Sequence, residues 1–138
     1  KLEFIKDIYI MMYRINITLI VDKDAEKVEK YLFNKHHLNF NICGGAGYCA
    51  STEVGNIIIW INKFDDSIRS YENFSHECFH AIFRIMKETG SEYTEEGEET
   101  FAYLFTYVFG YCLDEIKKSS YFKKITTKEC LKTPPKKH

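Results

Sequence analysis

From Met12 to Val21 the chain alternates Tyr13, Ile15, Ile17, Leu19 and Val21 with Arg14, Asn16 and Thr18, and past Asp65 that period disappears. Apolar residues then recur every three or four positions, in Phe79, Ile82, Phe83 and Met86 and again in Phe101, Ala102, Phe105, Val108, Phe109 and Cys112. Period two requires a strand with one face buried, and a period near 3.6 requires a helix laid on an apolar surface. A chain of 138 residues that reads in one period and then in the other is expected to be a single α+β domain.

The spacing predicts a strand ending at Val21 and a short helix from Ala25 to Phe33 capped by Asp22 or Asp24. A loop through Gly44, Gly45 and Gly47 follows, then strands over Tyr48 to Val54 and Ile57 to Ile61 about a Gly55-Asn56 turn. Asp65 or Asp66 caps a long helix that Thr89-Gly90 stops near Glu88, and a second long helix runs from about Glu96 to Glu115. Met11-Met12 stands at the start of the first strand, so residues 1–11 are read as an N-terminal extension, 12–116 as the domain and 117–138 as a basic, solvated tail. The charge supports that division: residues 1–116 carry 11 Lys/Arg against 19 Asp/Glu, whereas 117–138 carry 8 Lys against Glu129 alone. An acidic body argues against a broad nucleic-acid-binding face, which needs clustered cations on the folded surface.

The cysteines number 5, so they cannot all pair within the chain. Cys78 and Cys112 fall in apolar helical patterns that suit buried thiols. A reducing compartment is expected, and no run of 18 apolar residues is present to span a membrane.

Chemistry concentrates in Phe74-Ser75-His76-Glu77-Cys78-Phe79-His80, an H-E-x-x-H motif inside the first long helix. Residues four apart lie on one helix face, so His76 and His80 can present two imidazole nitrogens to one zinc ion, with Glu77 beside them as a proton acceptor. The strand Ile57 to Ile61, read as a candidate sheet edge, offers a place for an extended peptide to add as another strand. A catalytic zinc needs a third protein ligand, and the next helix offers Glu95, Glu96, Glu98 and Glu99. Close approach of two helices favours small residues beside the ligand. Ala102 and Thr106 follow Glu99 on one face and favour it; Glu98, aligned with Phe105, Phe109 and Cys112, is the alternative. Glu95 and Glu96 suit the capping end of the helix.

His76-Glu77-x-x-His80 followed 19 residues later by a Glu-x-x-Ala and an Ala-Tyr-Leu-x-x-Tyr helix resembles the small zincin-type metallopeptidases. The resemblance, over about Met12 to Leu113, is to the ImmA/IrrE-like group and to short peptidase-like proteins of bacteriophage and prophage origin. It implies a minimal zincin: a small, mainly antiparallel sheet, a short helix and two long C-terminal helices carrying the metal site. It further implies one zinc per chain on His76, His80 and Glu99, with Glu77 as the general base that hydrolyses a peptide or protein substrate. The setting it implies is a bacterial cytoplasm or a phage virion. Where thermolysin-like enzymes carry a carboxylate that hydrogen-bonds a zinc-binding histidine, this chain has Tyr103, whose hydroxyl could orient a histidine. Tyr93, Tyr103, His36 and His37 are candidates to stabilise an oxyanion.

Other features read more plainly. Cys43 and Cys49 match no common metal spacing, and the glycine run lacks the Lys-Ser/Thr of a phosphate loop. Aromatic residues on most sides of the helix Phe101 to Tyr111 imply that some are exposed, as in a homo-oligomer or virion interface. Two competing classes remain: a catalytically silent zincin-fold binding or structural protein, and a metal-free helical interaction module.

Overall fold

A computed structural model describes residues 1–39, 41, 45–92 and 94–132. It contains β1 (Phe4–Ile10), β2 (Ile15–Val21), α1 (Ala25–His36), β3 (Gly47–Ser51), β4 (Ile57–Ile61), α2 (Ile68–Glu88), α3 (Glu98–Lys117) and α4 (Ser120–Lys132). The class is α+β, with one sheet of order β1-β2-β4-β3. The sheet is mixed: β1/β2 and β3/β4 pair antiparallel, and β2/β4 pair parallel.

Strand alternation sorts the apolar residues into two layers. Ile15, Ile17, Leu19 and Val21 of β2 and Ile57, Ile59 and Ile61 of β4 face α2, α3 and the start of α4. Ile20, Ile58 and Trp60 face the other way, onto Val28 and Leu32 of α1. The run Ile57-Ile58-Ile59-Trp60-Ile61 is therefore buried on both sides, which suits an interior strand covered by helices on each face. This corrects the edge position expected for Ile57 to Ile61: β4 lies between β2 and β3, and the edges are β1 and β3.

Both ends of the chain enter the fold further than their composition implied. Phe4–Ile10, read as part of an extension, pairs along its whole length with β2, and Ile8 and Ile10 are each 2% exposed. Asp7 accepts a hydrogen bond at 2.7 Å from Thr18, its partner in register, so the buried Thr18 hydroxyl is satisfied. At the other end, Ser120–Lys132 of the expected tail is helical, with Ser119 accepting from the Phe122 N–H as its cap. Tyr121 is buried and its hydroxyl accepts from the Phe64 N–H at 3.2 Å.

The caps follow local chemistry. Asp24 accepts from the Lys27 N–H to start α1, and left-handed His37 closes it. Ser67, rather than Asp65 or Asp66, caps α2 by accepting from the Ser70 N–H. Gly90, at φ 75, takes the left-handed turn that ends it at little steric cost. Asp22, fully buried at the end of β2, ties the layers together. Burial alone would raise its pKa, but the Asp24 and Glu3 N–H groups and Lys27 outweigh that and hold it lowered. Its backbone carbonyl accepts from the Trp60 indole at 2.9 Å.

Candidate metal and catalytic site

Helix α2 runs alongside the edge strand β3 in the same direction. Near the strand's start, a Cβ added at Gly47 would lie 2.9 Å from Glu77 Cγ and 3.0 Å from the Trp60 carbonyl oxygen. At the strand's end, Arg84 Nη1 donates to Ser51 Oγ at 3.1 Å. The amphipathic pattern of α2 explains this seating: Phe74, Cys78, Ala81, Ile82 and Ile85 bury one face, which leaves His76 and His80 exposed along its border.

The motif's side chains converge. His76 Nε2 and His80 Nε2 are 3.2 Å apart. Two imidazole nitrogens on one tetrahedral zinc, each bonded at about 2.0–2.1 Å, would be about 3.3 Å apart, so this pair fits the ion. Glu77 Oε1 lies 3.9 Å from His76 Nε2. Glu77 is only 7% exposed, and burial pushes its carboxyl above the ordinary range against the opposing pull of His76. For His80, burial first, then His76 and Arg84, hold the imidazole below its usual value. A cleft of about 340 Å³ opens beside these groups, lined by Ala46, Gly47, Glu72, Asn73, His76 and Glu77.

The third ligand is less closely placed. Helix α3 crosses α2 antiparallel, since Phe79 meets Phe101 (ring centroids 5.2 Å apart) and Phe74 stacks on Phe109 (also 5.2 Å). That brings the first turn of α3, with Glu98 and Glu99, level with His80. Both glutamates are exposed, and among the described residues no three His, Cys, Asp or Glu side chains gather at metal-holding distance. Ala102 and Thr106 are exposed too, so the premise that they mark the face packed against α2 is corrected. That face carries Phe101 and Phe109, and Glu98 shares it at helical spacing.

Tyr103 is 72% exposed and faces a groove shared with Met11, Met12 and Tyr13, away from the histidines it was expected to orient. His36 and His37 lie at the end of α1, on the opposite side of the sheet from α2. Cys49, Cys78 and Cys112 are buried free thiols; burial pushes Cys49 and Cys112 up to about 12 and Cys78 well above its ordinary value. None is a ready thiolate ligand. Cys43, Gly44, Tyr93 and residues 133–138 lie outside the described residues.

Two residues at the site escaped the motif. Arg84 continues the His76–His80 spacing by one further turn, a signal visible in the sequence. Gly47 is a contact of long sequence range, for which the sequence carried no local sign. Its replacement by Ala must displace Glu77 or the Trp60 backbone, so Gly47→Ala is expected to cost about 1–3 kcal/mol in urea unfolding. A variant as stable as the parent would show that the edge strand does not hold Glu77 in place.

A comparison with protein families, curated proteins and solved structures finds no match.

Proposed function

We propose that this chain is a zinc-dependent peptidase, His76 and His80 holding the ion and Glu77 serving as general base. The observation that carries the reading is the convergence of His76 Nε2 and His80 Nε2 at 3.2 Å beside a buried carboxylate and the sheet's edge strand. Zinc in that position supplies Lewis acidity, which favours ionisation of water and polarises a carbonyl. Glu77 Oε1 would accept the proton of an attacking water and return it to the departing amine. As the sheet's edge strand, antiparallel to β4, β3 is the place where an extended peptide would add as a further strand. A third ligand would come from the first turn of α3, either Glu99, which spacing alone favours, or Glu98, which shares the face packed against α2.

Elemental analysis of purified protein is expected to give about one zinc per chain. His76→Ala or His80→Ala should abolish it. Glu99→Gln and Glu98→Gln separate the two: the variant that removes the ligand should weaken zinc binding by about 10-fold or more while the other leaves it unchanged. Protein that takes up no zinc on titration would defeat the reading and leave a metal-free interaction module.

A further inference from the structure

The clefts on this face adjoin one another. Asn62 and Lys63 line both a cleft of about 420 Å³ bounded by α4 and a neighbouring cleft of about 400 Å³. Ala46 and Asn73 line that second cleft and also the one beside His76 and Glu77. Taken together as one groove, these adjoining clefts lead from the H-E-x-x-H motif, past the start of β3, to α4.

Its charge is graded along its length. Glu72 and Glu77 line one end, while Lys23, Lys63, Lys124 and Lys128 line the other. Lys124 and Lys128 are one turn apart on α4 in line with Ser120, Lys23 comes from the β2–α1 connection, and Lys63 follows β4. Lys63 pairs with Asp65 at 2.9 Å. Among the described residues Lys23, Lys124 and Lys128 make no ion pair, although Glu3 also lines the cleft. Cations brought from three elements around one concavity repel one another, and a negative ligand relieves that repulsion.

We propose that this groove binds a peptide carrying an acidic segment, its carboxylates seated among Lys23, Lys124 and Lys128 and the rest of the chain laid past Asn62 and Ala46 toward Glu77. The inference rests on the peptidase reading for the direction and fate of the bound chain. A nucleic acid carries a phosphate at every step and would bring charge against Glu72 and Glu77; a peptide confines its charge to one end of the groove. The groove leaves the sheet at Gly47, where β3 begins. A strand added antiparallel to β3 ends there, so the acidic residues lie C-terminal to the bond presented to Glu77.

Fluorescence anisotropy with fluorescein-labelled hexaglutamate at low salt tests the binding. The Lys124→Gln/Lys128→Gln double variant is expected to bind about tenfold more weakly than the parent. Equal binding by both proteins, no binding by the parent, or displacement by oligothymidylate at lower concentration than by unlabelled hexaglutamate would overturn the proposal. A second arm compares cleavage of two peptides that differ only in Glu or Gln residues after the scissile bond. The Glu peptide is expected to show about tenfold higher kcat/KM, lost in the double variant. Cleavage without preference would sink the acidic-peptide groove and leave the peptidase reading standing. Lysine-dependent hexaglutamate binding with no peptide cleaved would do the opposite.

Discussion

Glu77→Gln is expected to lower peptide hydrolysis by about 10²–10⁴-fold while zinc content stays at the parent level. The amide keeps the shape that packs against Gly47 and loses the proton-accepting oxygen. Stability separates this from a folding defect. Burial is the main cause of Glu77's raised pKa, so the carboxyl binds its proton more tightly folded than unfolded. It favours the fold below its unfolded pKa and loses that contribution as pH rises through the folded value. At neutral pH the variant sheds a charge whose burial is unfavourable, and its Tm should hold or rise. Activity assayed with zinc-loaded protein, alongside a melting curve of the metal-free protein, makes the check, since a zinc ion beside Glu77 would itself favour the charged carboxylate. Hydrolysis undiminished in the variant would remove Glu77 from the role of general base, and zinc-loaded parent protein that hydrolyses no peptide would leave a catalytically silent zinc-binding protein.

The largest effect on stability is expected at Phe64. This residue, fully buried just after β4, contacts Tyr71 and Phe74 of α2 (ring centroids 5.1 and 6.0 Å) and Phe122 of α4 (6.1 Å). Its N–H donates to Tyr121. Phe64→Ala removes the ring on which the two helices meet and is expected to cost about 3–5 kcal/mol in urea unfolding. Met12→Ala, at a position 83% exposed, should stay within about 0.5 kcal/mol and serves as control. A loss at Phe64 below about 1 kcal/mol would mean that α4 contributes little to the packed core.

The elements legible in the sequence were those with a clear period. β2 alternates, and α2 and α3 carry long apolar stripes with a Thr-Gly stop between them. β1 was missed because an edge strand with one covered face needs few buried residues: Ile8 and Ile10 suffice, and adjacent Lys6 and Asp7 break the pattern. α4 was missed because its lysines outweigh Tyr121, Phe122 and Ile125 in composition, although those three carry its attachment. For β4 the signal was present: five consecutive apolar residues already describe a strand with no solvent-facing side. At the site, the histidine pair followed from spacing on one helix, which helical geometry fixes by itself. Gly47 against Glu77 depends on a strand 30 residues away, and the third glutamate depends on how two helices cross, which local periodicity does not encode.

The strand order also sets how the chain can assemble itself. β1 with β2, and β3 with β4, are neighbours in sequence, so each can zip from its own turn as a local hairpin. Joining them requires the parallel register of Ile17 with Ile57, 40 residues apart, across the connection that holds α1. Closing that loop costs entropy before any of its contacts repay it, so the docking of two hairpins through β2 and β4 is expected to be the slow step. Until it is taken, β4 exposes Ile57, Ile58, Ile59, Trp60 and Ile61 together, and the protein's greatest exposure to aggregation lies in its most deeply covered strand.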